Sequence, residues 1–259
     1  AEVARAEAFV RASGCFPMPI DSAPVEVVEI RNRQFRRFFS LAMYLDGRLA
    51  VTASSAEPAA DDSYLRNHCR TCVPPLAVHE TWPGHHVAFA FAGDDAGRPT
   101  DPDRVVFHEG WALYVEQLML DLGYYADDPA RELGALRFLF LRALSAHIDP
   151  ALHGGRMTIG EAEERYRRDG LLTAAAARAE VARHLKDPVL KASYFIGLRQ
   201  ILSLRRQLGI DAADPAALAT FHERLLGTPR PIPEVALERF GVVFDTDAFL
   251  SLNDEPSVE

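Results

Sequence analysis

Over most of the second half of the chain the apolar and polar positions alternate with a helical period. This spacing predicts helices over 105–123, 129–147, 158–168, 172–186, 190–208, 215–226 and 233–239. The breaks fall at residues that stop or start helices: Asp127-Asp128-Pro129, Asp149-Pro150, Gly154-Gly155, Asp187-Pro188 and Asp214-Pro215. The opening stretch AEVARAEAFVRASG adds a short helix at the start. RVVFHEGWALYVEQLML, residues 104–120, is apolar nearly all round, as a buried helix is. The best strand signal is AMYLDGRLAVTAS, residues 42–54, where Asp46-Gly47 between two apolar runs predicts a hairpin turn. Its Gly and Ala content makes the strands weak, and AEPAADDS, residues 56–63, reads as a loop. The pattern predicts one mainly α domain over residues 1–259 with a small β-hairpin element.

Composition narrows the class of partner. With 259 residues, 48% of them hydrophobic, the chain can bury one substantial core. A net charge of −9 opposes binding to nucleic acid or to an anionic membrane surface. No apolar run approaches the ~20 residues that cross a bilayer. We therefore expect no nucleic-acid partner and no membrane. Cys15, Cys69 and Cys72 are too few for a disulfide framework and fit a reducing, cytoplasmic compartment. Cys69 and Cys72 form a C-x-x-C with no second such pair to complete a zinc site, and read as two unpaired thiols before Pro74-Pro75. Ala1 in place of an initiator methionine fits a processed or excised piece, with any targeting signal upstream.

Candidate chemistry concentrates in VHETWPGHHVAF, residues 78–89. It begins like the zinc-peptidase motif H-E-x-x-H, but Pro83 stands where the second histidine would be. His79 and His85 are six residues apart, about 240° around a regular helix, so a straight helix would point them in different directions. Pro83 removes the donor that would bond the His79 carbonyl and Gly84 adds freedom. A kink or π-type bulge is expected there, absorbing two residues and returning His85 to the side of His79. His86 would share the His79 face but lie about 10 Å along the axis, which suits a supporting or substrate-binding group better than a ligand. From spacing alone, a metal site and a histidine-rich helix entry without metal both stand. The buried helix adds Glu109 and Glu116, seven apart on one face. Burying an ionised carboxylate costs several kcal/mol unless a cation or strong donors compensate it. A histidine–glutamate helix followed by a glutamate on the next helix is the layout of zinc peptidases with a His, His, Glu ligand set. A salt bridge to an arginine is the alternative for Glu109 and the preferred reading for Glu116, and His108 reads as structural or supporting.

Taken in order, HETWPGHH, EGWALYVEQL, HIDPALH, EVARHL and ASYFIGLRQILSLR resemble the bacterial family of domain of unknown function 885 (DUF885), which is similar to the gluzincin zinc peptidases. The resemblance runs from about Tyr44 to about Pro233. Members of the family are about twice this length, and the chain resembles their C-terminal, metal-bearing half. The resemblance implies a multi-helix, zincin-like fold whose hairpin serves as the edge strand beside the active-site helix. It implies a zinc ion held by His79, His85 and Glu109, with Glu80 as general base and Tyr194 stabilising the oxyanion. Gly197, one turn beyond Tyr194, would let backbones approach closely. Tyr194 as an ordinary half-buried aromatic remains the alternative. His153 is implied as a substrate contact, and His86 is a further candidate. Arg183 and Arg199 are candidates for carboxylate recognition, Arg199 as a substrate-binding residue. After His153 the chain reads GGRMTIGEA, where family members usually carry an aromatic in place of Arg156 and a Glu-Gln pair near Gly160-Glu161. That departure bears on substrate recognition and leaves the metal ligands intact.

The expected function is a zinc-dependent metallohydrolase that cleaves a peptide or small amide substrate with a water activated by Glu80. Two alternatives stand beside it. One is a non-proteolytic enzyme using the same site, with zinc or another transition metal, on an amino-acid-derived small molecule. The other is a non-catalytic subunit that needs a partner chain or a second copy to supply the missing N-terminal portion.

Overall fold

A computed structural model of the chain describes residues 1–18, 24–30, 42–45, 47–51, 70–93 and 102–250. It is mainly helical with a small three-stranded sheet. The elements are α1 (Glu2–Ser13), β1 (Glu26–Glu29), β2 (Ala42–Leu45), β3 (Arg48–Val51), a 3-10 turn (Arg70–Cys72), α2 (Val73–Glu80), α3 (His85–Ala92), α4 (Pro102–Asp121), α5 (Pro129–His153), α6 (Ile159–Arg168), α7 (Ala174–Lys186), α8 (Leu190–Gln207), α9 (Pro215–Leu226), α10 (Ile232–Phe240) and α11 (Thr246–Leu250).

Helix starts follow local chemistry. Asp128 and Asp214 cap α5 and α9 by accepting from Ala130 N and Ala216 N, each with proline in the first turn. Thr158 and Glu161 form a reciprocal capping box at α6. The expected stop at Asp149-Pro150 does not occur, since α5 runs on to His153 with Pro150 inside it. In the last turn a proline forfeits one backbone bond and the helix continues.

The core centres on α4, where Trp111 through Val115 are wholly buried. That explains its all-round apolar sequence, because α2, α3, α5 and α8 pack on different sides of it. The α4–α8 crossing is the closest of these. A Cβ on Gly110 would collide with the Gly197 backbone, and one on Gly197 would collide with the carbonyl of Val106 and with Gly110. A second, smaller cluster of Leu144, Ile148, Tyr166, Ala177 and Val181 joins α5, α6 and α7.

β2 and β3 pair antiparallel, with Tyr44 opposite Leu49, as the predicted hairpin requires. Asp46 of its turn, the 56–63 loop and Cys69 of the C-x-x-C lie outside the described residues. β1 was not expected. It pairs parallel to β3 on the other side, giving the order β1-β3-β2. Among the described residues no helix is long and apolar enough to cross a membrane.

Candidate metal centre

The HETWPGHH segment does not bend around a bulge; it breaks into two helices. α2 ends at Glu80, residues 81–84 turn, and α3 restarts at His85. The reason is local. Pro83 has no N–H to continue the helix, while Thr81 N and Gly84 N close the turn on the carbonyls of Ala77 and Val78 at 2.9 and 3.0 Å. Gly84 sits against the carbonyls of Val78 and His79, where a Cβ has no room. From α4, the Trp111 indole N–H donates to the Pro83 carbonyl at 3.0 Å and pins the turn to the core. The break turns the two helix ends toward each other. The His79 and His85 rings meet nearly perpendicular, their centroids 4.9 Å apart.

Glu109 on α4 completes a group. One ligand-type atom from each of His79, His85 and Glu109 lies within 4.8 Å of the others. Glu109 Oε2 is 3.4 Å from His79 Nε2 and 3.7 Å from His85 Nε2. Two ligands held 2.0–2.1 Å from a tetrahedral zinc lie about 3.3 Å apart, so these spacings suit such an ion. Glu109 Oε2 is buried and without a hydrogen-bond partner. The other nitrogen of His79, Nδ1, is 2.6 Å from Glu116 Oε1. A carboxylate on Nδ1 fixes the tautomer and leaves Nε2 for a metal, the usual support of a ligating histidine. Glu116 thus pairs with His79 and not with the arginine that its sequence context suggested.

Glu80 ends the same helix, and its Oε2 accepts the Tyr44 backbone N–H of β2 at 2.8 Å. Burial pushes the Glu80 carboxyl up to about 7, His79 working against that and the Glu109 charge adding to it. Burial keeps His85 neutral, lowering it to about 3. Burial also disfavours charge on His79, but Glu109 and Glu116 outweigh it and raise the imidazole to about 10. Negative charge here therefore demands a proton on His79 or a cation beside it. Tyr194 on α8 stacks over the His79 ring with centroids 6.2 Å apart. Burial and then the Glu109 charge raise its phenol well above the ordinary value, so it stays a donor.

The model of the bacterial protein of unknown function family (DUF885) matches residues 22–229. The chain belongs to this family. No curated protein matches it. Its fold is similar to the crystal structure of a putative lipoprotein from Colwellia psychrerythraea, with 27% identity and a TM-score of 0.73, over 92% of this chain and 41% of that one. It is similar in fold to a putative lipoprotein of unknown function from Shewanella oneidensis, with 21% identity and a TM-score of 0.72, over 90% of this chain and 43% of the other. The DUF885 chain thus spans about two fifths of the length of either structure.

The remaining candidates of the DUF885 chain lie apart from the trio. His86 is buried against Trp82, and its Nδ1 is 3.1 Å from the Tyr44 hydroxyl. His153 Nε2 donates to the His184 carbonyl at 3.0 Å, beside a buried chain that links Asp149, His184, Tyr166 and Ser145. Arg183 pairs with Glu180 at 2.8 Å. None of the cluster's hydrogen bonds and ion pairs involves Arg199, which is half-buried on α8. His108 stacks on Phe89. Sequence reasoning missed Arg142 of α5, whose guanidinium lies 4.4 Å over the Tyr194 ring. Its signal was present, a lone cation within the apolar run FLFLRALSA.

Proposed function

We propose that the chain is a zinc-dependent hydrolase of a peptide or amide bond, built on a zincin-like arrangement of α2, α3 and α4. The convergence of His79, His85 and Glu109 at spacings suited to a tetrahedral zinc carries this reading. Charge supports it. With His79 neutral, as a ligand must be, the carboxylates of Glu80, Glu109 and Glu116 face Arg142, among the described residues the one arginine or lysine whose charge acts on Glu80 and Glu109, which leaves negative charge for a divalent ion to balance. His79, His85 and Glu109 would hold that ion, which when bound supplies Lewis acidity to a carbonyl and acidity to a water.

The chain's own side chains do the rest. Tyr44 N–H fixes one oxygen of Glu80 and leaves the other to take a proton from the attacking water and pass it to the leaving nitrogen. Glu116 keeps His79 in the tautomer that presents Nε2. Tyr194 offers a phenol proton to the oxyanion that forms as water adds. The Tyr44 N–H of β2 is held by Glu80, so this strand lies beside the general base, where an extended peptide backbone would pass.

The test joins elemental analysis of the purified chain with hydrolysis of a peptide panel. Near-stoichiometric zinc and turnover are expected, with Glu80→Gln keeping the metal and losing the turnover. A chain that binds no divalent transition metal, or undiminished turnover in the variant, overturns the reading.

A further inference from the structure

One turn before Tyr194 on α8, the charge changes sign. Lys191 lies one helical turn before Tyr194 on α8, and its buried Nζ is 2.9 Å from Glu180 Oε2. Arg183 takes the other oxygen of that carboxylate at 2.8 Å. Arg142 joins them from α5, its charge felt by Glu180 and Lys191 on one side and by Glu109 and Glu80 on the other. Lys191 and Arg183 therefore share one carboxylate, and the Arg142 charge acts on it from α5. Asp149, on α5 with Arg142, has both oxygens engaged, by His184 Nδ1 at 2.5 Å and by the Val189 N–H at 2.9 Å.

Arg142 is the unusual member. Among the described residues its guanidinium has no hydrogen-bond or ion-pair partner, and its face rests on the Tyr194 ring. Stacking on a ring contributes about 0.5–2 kcal/mol and leaves all five N–H donors of the fork without acceptors. A planar fork held by an aromatic face is preorganised for bidentate binding of a carboxylate. From Lys191 to Tyr194 the helix rises about 4.5 Å, close to the ~3.3–3.6 Å that one residue of extended chain spans. An anion held between Lys191 and Arg142 would thus lie one or two residues beyond a carbonyl placed at Tyr194.

We propose that Arg142 and Lys191 anchor the terminal α-carboxylate of a peptide, so that the site removes one or two residues from a free C-terminus. The direction of cleavage rests on the hydrolase reading above; the carboxylate anchor does not. The probe is N-acetyl-trialanine as the free acid and as its C-terminal amide, titrated calorimetrically into the Glu80→Gln chain so that no turnover interferes. The acid should bind on the order of 10- to 100-fold more tightly than the amide, the range of a buried charge-assisted hydrogen bond. Arg142→Met and Lys191→Met should each bring the acid to within about twofold of the amide, while Arg142→Lys restores part of the preference. Equal binding of acid and amide, no binding of either, or a preference that survives both methionine variants overturns the anchor, and the unsubstituted comparison decides this even if a variant misfolds. A preference for the acid in a chain that cleaves neither peptide keeps the anchor and removes the hydrolase.

Discussion

The α4–α8 crossing sets the distance between Glu109, which precedes Gly110, and Tyr194, which is one turn before Gly197. A Cβ added at Gly110 would lie 2.6 Å from the Gly197 carbonyl carbon and 3.1 Å from Leu198 N. Carbon atoms in good contact sit about 3.5–4.0 Å apart, so Gly110→Ala must part the helices by roughly 1 Å. Overpacking of this kind costs about 1–3 kcal/mol, against a gain of about 1 kcal/mol in helix propensity, for a net loss of up to about 2 kcal/mol. The same displacement shifts Glu109 from its 3.4 Å approach to His79 Nε2, so zinc affinity should fall on the order of tenfold. Urea denaturation reads the first effect as a lower midpoint with unchanged slope, and chelator competition reads the second. Gly160→Ala is the control. It lies in α6 with nothing within 4 Å of its added Cβ, and should stabilise by a few tenths to about 1 kcal/mol. A Gly110→Ala chain that gained stability and bound zinc normally would refute the reasoning.

Glu116→Gln should keep the fold and weaken zinc binding by about 10- to 100-fold, because the carboxylate on His79 Nδ1 raises ligand basicity; unchanged competition with a chelator would count against that role. Zinc at 100 times its dissociation constant adds about 2.7 kcal/mol, so chelation should lower the thermal midpoint by roughly 5–10 °C, and an unaltered midpoint would mean the trio holds no ion. His222 supplies an acid-sensitive lock. Its Nδ1–H donates to the Cys15 carbonyl at 2.8 Å and its Nε2 accepts from the Tyr114 hydroxyl at 2.9 Å. Burial lowers it to about 3, so the unfolded chain takes up this proton first as pH falls. That stability is complete above about pH 6.5 and is lost toward pH 3, amounting to about 2 kcal/mol by pH 5. His222→Gln, less stable at pH 7, should lose about 2 kcal/mol less between pH 7 and pH 5 in urea titrations; equal losses would rule the lock out.

Legibility in the sequence followed the range of each interaction. Helices announced by period and caps, such as those after Asp128 and Asp214, needed only residues a turn away. The hairpin pair was equally local, whereas β1 pairs with β3 across 22 positions, Glu26 opposite Arg48, and four mostly exposed residues carry no periodic signal for that. At the site, the histidine spacing demanded some departure from a straight helix. Pro83 and Gly84 made that departure a full break into α2 and α3, and what fixes the turn against the core, the Trp111 indole on the Pro83 carbonyl, comes from 28 residues away. Glu109 and Glu116 were visible as buried charges on one face. The partner of Glu116 was not, because arginines outnumber histidines in the chain and composition alone favours the commoner cation.

Arg142 shows the same limit and what lies past it. In sequence it is a lone cation in the apolar run FLFLRALSA, a signal outweighed by the many helix arginines that are solvated. In space it is half-buried over Tyr194, its charge acting on the carboxyls of Glu80 and Glu109 and on the Lys191–Glu180 pair. Its charge lowers both the Glu80 and the Glu109 carboxyls, although burial and His79 act more strongly on them. A group in that place acts on both, because an anion that pairs with Arg142 withdraws its field from Glu80. Substrate carboxylate and general base would then be coupled through one guanidinium.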